Sequence, residues 1–426
     1  MYFLGRKGYF CVLMRHLYSL LISLFHALLP VLGVFVKSLK EFYQVRRGIF
    51  NVLEEKLSAQ DQTIWVHAAS LGEYEQAVPV LEELRAKYED YKIVLTFFSP
   101  SGYTVKKATP LADVVTYLPL DTSRNAQCFL KLVKPELAIF IKYEFWPNYL
   151  NTLHKLKVPT LLVSGIFRAD QPFFKFYGRW MTQSLRAFDY FFLQNASSLN
   201  QLQQLGFKNA EVSGDTRFDR VHRQLSYDNF LQEIERFKGT DLLLVCGSTW
   251  PEDIALLSGF INTASGIKIL IAPHKVDKDR IQELEQVLKR PSKRFSDLQS
   301  DKNFDADVLI VDAIGFLSKI YAYADLAYVG GAAGTTGLHN ILEPATFGVP
   351  IITGIHIEKF PEAQDLRTLA GLFTVANVEE TTALLQKLTT DANFRLKTGI
   401  ISGNFISNNT GATPKIMAYI DQTLTA

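Results

Sequence analysis

The chain has 426 residues, more than a single hydrophobic core of roughly 250–300 residues accommodates, so two domains are expected. Hydrophobic residues make up 48% and charged residues 21%, which excludes a disordered or polytopic membrane chain, and a net charge of +2 leaves no strongly basic face for nucleic acid. The three cysteines, Cys11, Cys128 and Cys246, form no CxxC pair, which argues against a zinc site or a disulfide framework and fits a reducing compartment.

The first predicted element is apolar. Leu17–Val36 carries no Asp, Glu, Lys or Arg, and as a helix it reaches about 30 Å, enough to cross a hydrocarbon core. Arg15 and His16 precede it, His26 lies inside it, and Pro30 is expected to kink it. Ser19, Ser23 and His26 recur at helical spacing, a polar stripe that a helix lying in the membrane surface also shows. No small-x-small cleavage site follows, so a signal peptide is disfavoured. Residues 1–45 therefore read as a membrane anchor with a juxtamembrane helix, either spanning or in-plane, the alternative being a helix buried in the protein. Lys37, Lys40, Arg46 and Arg47 follow the run, against Arg6, Lys7 and Arg15 before it, which favours a cytoplasmic body.

Residues 46–225 alternate apolar runs with amphipathic stretches. Strands are expected at Thr63–Ala68, Ile93–Phe98, Val114–Leu118, Leu137–Ile141, Thr160–Ser164 and Tyr190–Gln194, without strict polar alternation, as in strands buried on both faces. Helices are expected at Glu73–Lys87, Thr122–Val133 and Phe173–Ala187. After a polar linker and helix at Tyr227–Thr240, a second series in residues 226–426 has strands at Leu242–Cys246, Lys268–Ala272, Val308–Asp312, Leu326–Val329 and Pro350–Thr353. Pro291–Asp307 reads as an exposed excursion, and the last helix is expected to pack back on the first domain. The fold class is α/β, two doubly wound, Rossmann-like parallel sheets facing a cleft, with ligands beyond the carboxyl ends of the strands.

The glycines of Gly330–Pro350 follow a strand, where a backbone without Cβ lets a ligand approach closely. The helix expected near Asn340 and Pro344 would present amide groups and a positive dipole end to a phosphate, and Glu343 would accept from ribose hydroxyls. The alternative is a tight turn with Glu343 complementing the dipole. Ser248, Pro273, His274, Lys275 and Gly315 stand at further strand ends of the same domain, with His274 and Lys275 placed to neutralise a leaving phosphate. In the first domain, Ser70 and Glu73 have the spacing of a capping box. Equally, Glu73 beside Gly72 suits a general base at a strand end. Glu144, beside Trp146, and Arg217 follow two other strands; the plain alternatives are a helix-start carboxylate and a surface ion pair. Ser101 and Gly102 form a further turn on that edge.

These segments together resemble the 3-deoxy-D-manno-oct-2-ulosonic acid (Kdo) transferases of lipopolysaccharide synthesis, glycosyltransferase family 30, from about residue 45 to the C-terminus. The resemblance rests on Trp65–Glu73, Glu144–Asn148, Gly214–Asp219 and Gly330–Pro350. It implies a GT-B fold, a CMP-Kdo donor, a lipid A precursor (lipid IVA) as acceptor, contact with membrane lipids through an N-terminal anchor, and inversion at the anomeric carbon without metal or cofactor. It implies an inner-membrane enzyme working on the cytoplasmic side, and no protein partner follows from it. Glu73 then resembles the catalytic base, and Glu144 and Arg217 the groups that assist the transition state. Pro273 and His274, Ile314, Gly315 and Phe316, and Asn340, Ile341, Leu342 and Glu343 resemble nucleotide contacts, with Ser248 and Gly331 beside them. Ser70, Gly72, Ser101 and Gly102 remain acceptor-side candidates. This chain departs from the family in having His274-Lys275 where an arginine follows the proline, and Arg217 where a lysine precedes Phe218. Two other classes stay open: a UDP-sugar transferase of the same fold acting on a lipid acceptor, and a membrane-anchored nucleotide-sugar sensor without turnover.

Overall fold

The computed structural model describes residues 2–175, 177–299 and 306–425, with side chains from Cys11 onward. The chain divides into two compact units, Met1–Arg220 with Gly411–Ala426, and Val221–Thr410.

The first unit is built on a parallel sheet of seven strands, β1 Thr63–His67, β2 Lys92–Phe97, β3 Val114–Tyr117, β4 Pro135–Ile141, β5 Thr160–Gly165, β6 Tyr190–Leu193 and β7 Ala210–Val212. Their order is β3-β2-β1-β4-β5-β6-β7. Both faces are covered. Trp65, Phe129, Phe140 and Tyr149 fill one side, and Ile64, Val66, Leu81 and Ile139 the other. That burial explains why the strands read as continuous apolar runs. The helix Ala412–Leu424 closes the second layer, with Ile416 and Ile420 packed among Ala77, Leu81 and Leu84 of the helix Leu71–Lys87. Asp219 fixes its start by accepting from the amides of Gly411 and Thr413, each at 2.6 Å.

The second unit repeats the plan with β8 Leu242–Thr249, β9 Ile267–Pro273, β10 Ser292–Arg294, β11 Val308–Ile310, β12 Leu326–Val329, β13 Ile351–Gly354 and β14 Leu372–Val375, in the order β10-β11-β9-β8-β12-β13-β14. Every recorded strand pair in both sheets is parallel.

Three features differ from the sequence reading. Phe173–Ala187 is not one helix but two short 3-10 segments, Pro172–Phe174 and Arg179–Ala187. The chain doubles back between them so tightly that a Cβ on Gly178 would lie 1.9 Å from the Pro172 carbonyl oxygen. Pro291–Asp307, part of which lies outside the described residues, is not an excursion: it supplies edge strand β10 and buries Phe295 and Leu298 against the sheet. The edge strands β7, β10 and β14 escaped the pattern because they are three or four residues long and only partly buried.

The N-terminal helix is longer than the apolar run, spanning Tyr2–Phe35 without interruption at Pro30. Its stretch Cys11–Phe35 is long and apolar enough to cross a membrane, with mean hydropathy 2.0. One side is docked on the first unit. The Tyr18 hydroxyl donates to Asp121 at 2.9 Å, Ser19 donates to Asn148 at 2.8 Å, and the Tyr18 ring packs on Trp180 at 5.4 Å.

Candidate active site

In each sheet two neighbouring central strands send the chain in opposite directions, and loops at the carboxyl edge diverge there. In the first sheet this lies between β1 and β4, and in the second between β8 and β12. Glu73 and Glu144 follow β1 and β4. Ser248 lies at the carboxyl end of β8, and the Gly330–Glu343 loop follows β12.

Glu73 stands in the first turn of the helix Leu71–Lys87 and is 5% exposed. Ser70 precedes that helix in extended conformation, but its hydroxyl caps no backbone amide and donates instead to the Glu73 carboxylate. The capping-box alternative is therefore not what forms. Gly72 is exposed, and a Cβ there would meet nothing nearer than the Ser70 hydroxyl at 3.9 Å. A shielded carboxylate with one hydroxyl donor and free space beside it can receive a proton from a ligand hydroxyl. Gly102 has a packing role: its Cβ would fall 2.2 Å from the Phe97 ring, and its backbone lies under the Ser70 turn. Ser101 is exposed, with its hydroxyl 3.0 Å from that of Ser99.

Glu144 lies in the turn after β4, where Lys142 adopts φ +70°. Its carboxylate is 3.6 Å from Nε2 of the fully buried His67. The Trp146 indole donates to that same Nε2 at 3.1 Å. Since an indole N–H only donates, Nε2 is unprotonated and the imidazole proton sits on Nδ1, facing the Thr96 hydroxyl at 2.9 Å. His67 is thus a buried strut held between Trp146 and Thr96, with the Glu144 carboxylate beside it. Burial pushes the Tyr143 phenol upward, and the charges of Glu73 and Glu144 push it further, so both carboxylates act on one side chain. The sequence motif contained His67 and Trp146, but nothing in spacing alone gave them this role.

Arg217 is held by Asp215, its Nε and Nη2 reaching one carboxylate oxygen at 2.9 and 2.8 Å. Gln76 donates to the other oxygen at 3.1 Å, and the Thr216 hydroxyl donates to the Gln76 carbonyl at 2.6 Å. Gln76 stands one turn beyond Glu73, so this network ties the Arg217 segment to the helix that carries the buried carboxylate. Asp215 went unread because an adjacent Asp looks like an ordinary surface partner; at 6% exposure it is not one.

In the second unit the glycine loop is pinned by Asp253, a residue the sequence reading passed over. Fully buried, it accepts from the amides of Trp250 and Gly331 at 2.8 and 2.9 Å and from the Tyr328 hydroxyl at 2.9 Å. Burial raises its pKa against the pull of those bonds. Gly330 and Gly331 are required here. A Cβ on Gly330 would lie 2.4 Å from the Ser248 carbonyl oxygen, and Gly331 has φ +98° with the Gly337 carbonyl 2.1 Å from its Cβ position. Ser248 itself takes φ +55°.

Trp250, His274 and His339 form a stack. His274 lies 4.6 Å from Trp250 and 4.6 Å from His339, the Trp250 indole donates to His339 Nε2 at 3.1 Å, and the Lys275 ammonium sits 5.7 Å over the indole. Burial lowers His339 to about 4, and burial with the nearby Lys275 charge lowers His274. At neutral pH both imidazoles are uncharged, so of the pair His274 and Lys275 only Lys275 brings positive charge. Pro273 is buried at the end of β9.

The helix expected near Asn340 is one turn, Leu342–Thr346, and its Leu342 amide already donates to the Asn340 side chain at 3.0 Å. Its dipole is correspondingly small, and anion binding there would fall to loop amides. Asn340 also donates to Glu343 at 3.2 Å, which orients that carboxylate beside the buried Ile341 and Leu342. Ile314 is 83% exposed, Gly315 has φ +95° with open space around it, and Phe316 packs on Phe295. The structure thus groups Ser248, Gly331, His274 and Lys275 at one strand edge and Asn340 with Glu343 in the adjoining loop. Ile314–Phe316 follow β11, beyond β9. Among the described residues no cluster of three or more His, Cys, Asp or Glu could hold a metal ion.

Residues 43–220 match the family model of 3-deoxy-D-manno-octulosonic-acid transferase (kdotransferase). The chain is 27% identical over 344 residues to the 3-deoxy-D-manno-octulosonic acid transferase of Aquifex aeolicus, covering 79% of this chain and 88% of that one. It is 27% identical to the Haemophilus influenzae enzyme of the same name, over 84% of this chain and 86% of that one. The fold is that of GT-B proteins. It superposes on UDP-GlcNAc 2-epimerase from Neisseria meningitidis with a TM-score of 0.59 at 12% identity, covering 85% of this chain and all of that one. The corresponding score for Acinetobacter baumannii MurG is 0.54, at 12% identity and 85% and 99% coverage.

Proposed function

We propose that this chain, which belongs to the Kdo transferase family and is a glycosyltransferase, moves Kdo from CMP-Kdo to a hydroxyl of a lipid A precursor, with inversion at the anomeric carbon. Kdo transfer is the activity its relatives are named for. The donor, the acceptor and the stereochemistry are our reading. The observation that carries it is the Ser70–Glu73 turn, a buried carboxylate at the β1 switch point with an open glycine beside it.

Glu73 takes the proton of the acceptor hydroxyl as that oxygen bonds to the ketosidic carbon, while the bond from that carbon to the phosphate oxygen breaks and CMP departs with the electron pair. The Ser70 hydroxyl orients the Glu73 carboxylate that accepts the proton. In the second unit Lys275 supplies positive charge for the departing phosphate; in the first, Arg217, fixed by Asp215 on the segment tied to the Glu73 helix, assists the transition state. The neutral His274 imidazole and the glycine-loop amides supply hydrogen bonds. Trp250 offers a flat face for a base or sugar ring, and Glu343 an acceptor for ribose hydroxyls. Neither metal nor cofactor enters this scheme. The reaction belongs on the cytoplasmic side of the inner membrane, where the apolar helix keeps the enzyme beside its lipid.

The test is transfer by detergent-solubilised protein from CMP-Kdo to tetraacylated lipid A precursor, read by product mass. Glu73→Gln should fold normally, still be stabilised by CMP, and lose transfer about 100- to 10,000-fold. Near-normal transfer by that variant would remove the base assignment. Stabilisation by UDP in preference to CMP would remove the donor assignment.

A further inference from the structure

We propose that the N-terminal helix does not span the bilayer but lies in its surface, forming a lipid-facing seat for the first unit. The inference is independent of the reaction proposed above. It stands on how the helix divides its circumference. Tyr18, Ile22, His26, Leu29 and Gly33, three or four residues apart along one side, are half-buried or buried, as is Ser19 next to Tyr18. Leu13, Leu20, Leu24, Leu28, Val31 and Phe35 occupy the opposite arc and are 43–81% exposed.

The docked side is fixed by the Tyr18–Asp121 and Ser19–Asn148 bonds and is buried again further along, at Leu29 and Gly33. A Cβ on Gly33 would lie 3.0 Å from the Lys40 backbone, where the helix Lys37–Gln44 folds against the first. A spanning helix has lipid or other apolar helices around it at every level. Here a spanning orientation would drag Asp121, Asn148 and the adjoining sheet edge into hydrocarbon. Buried polar groups without water carry a heavy penalty there. In-plane, the same contacts remain in the aqueous body, and only the outward arc enters the acyl region.

The charges around the seat suit anionic headgroups. Lys37, with its side chain 90% exposed, Lys40 and Arg47 follow the helix, with Glu41, 3.9 Å from Lys37, the one acid between them. Beside it runs a groove of about 650 Å³, lined by Ser23, His26, Phe50, Arg124 and Lys131, with Glu54 as its one acid. Arg46 faces inward instead: it donates to the Phe98 carbonyl at 2.5 Å and lies 3.6 Å over the Phe42 ring. In this geometry both ends of the helix stand on the same side of the membrane, so the lysine and arginine count before and after it does not report sidedness.

The experiment uses the full chain with Cys11 and Cys128 changed to Ser, reconstituted in phosphatidylethanolamine–phosphatidylglycerol vesicles. Single nitroxides replace Leu13, Leu20, Leu24 and Val31, and immersion depth is read from oxygen against nickel accessibility. Tags at both chain ends report sidedness by protease protection. Equal depths at the four positions and equal protease sensitivity of both tags are expected. A depth profile that peaks at mid-bilayer, with the tags on opposite faces, would replace the seat by a span. Labels whose oxygen accessibility is the same with and without vesicles would show that no lipid covers this arc. Lys37→Ala with Lys40→Ala should weaken partitioning about 30-fold on these vesicles and little on pure phosphatidylcholine. An equal effect on both would overturn the headgroup contact.

Discussion

Asp121 links the N-terminal helix to the body, and its titration is measurable. The carboxyl is 1% exposed and accepts from Tyr18, from the Asn148 amide at 3.1 Å and from the Tyr149 amide at 3.0 Å. Burial outweighs those three bonds and moves its pKa from 3.8 to about 7. The folded protein therefore keeps a proton that the unfolded chain releases, and stability falls as pH rises from about 4 to about 7. A shift of roughly three pH units at about 1.4 kcal/mol each sets the full loss on the order of 4 kcal/mol. Asp121→Asn cannot titrate, so its profile through this window should be flatter. It also points an amide N–H₂ at one of the donors, which costs about 1–3 kcal/mol at every pH. The wild type should be the more stable protein at pH 4.5, and the difference should shrink or reverse by pH 7.5. Urea unfolding of the detergent-solubilised chain, followed by tryptophan fluorescence, reads both curves. Parallel curves for wild type and variant between pH 4.5 and 7.5 would show that Asp121 is not the titrating group.

Asp253→Ala leaves the Trp250, Gly331 and Tyr328 donors without their acceptor, at about 1–3 kcal/mol each, whereas Asp253→Asn keeps an oxygen for the two amides and sheds a desolvated charge. Unfolding free energies should place Ala several kcal/mol below Asn, with hydrogen exchange at Gly331 accelerated most in the alanine variant. Gly354→Ala would set a Cβ 2.2 Å from the Ala332 carbonyl carbon and the Ala333 amide nitrogen. It should displace the glycine loop, destabilise the protein by about 1–3 kcal/mol and weaken nucleotide-dependent thermal stabilisation. Arg217→Lys cannot reproduce the two-nitrogen grip on Asp215. It should fold normally and lose about tenfold in transfer rate, and full activity would show that only the charge matters.

The two sheets were legible because parallel strands buried on both faces are apolar throughout, as in Ile64–Val66 and Ile269–Ile271. The edges were not, since a strand such as Ala210–Val212 is partly exposed and has no pattern to give it away. Site residues divided in the same way. Glu73 could be read from a carboxylate next to a glycine after a strand, although its Ser70 bond could not, because a capping box and a hydroxyl–carboxylate pair share one spacing. Asp253, His67 and Asp215 act through partners distant in sequence, at separations of 78, 79 and 139 residues for Gly331, Trp146 and Gln76, so no local motif announces them. The dipole expected at Asn340 failed for a related reason: the glycine run was visible, but not that the helix after it stops within a turn.

The N-terminal helix and the strand edge that carries Glu73 and Glu144 are joined by a short run of contacts. Asp121, which receives the Tyr18 hydroxyl, also accepts the first free amides of the helix Pro147–Leu156, at Asn148 and Tyr149. The turn that enters this helix carries Glu144 and Trp146, and Trp146 fixes the tautomer of His67 beside Glu144. A second path starts at Arg46, whose bond to the Phe98 carbonyl holds the end of β2; the Phe98 ring packs on Trp146 at 4.7 Å. Both paths converge on one indole. The position of Glu144 thus depends on residues that also hold the N-terminal helix in place, so removing that helix would reach the candidate site. It would strip Asp121 of a hydrogen-bond donor and open the turn that presents the carboxylate.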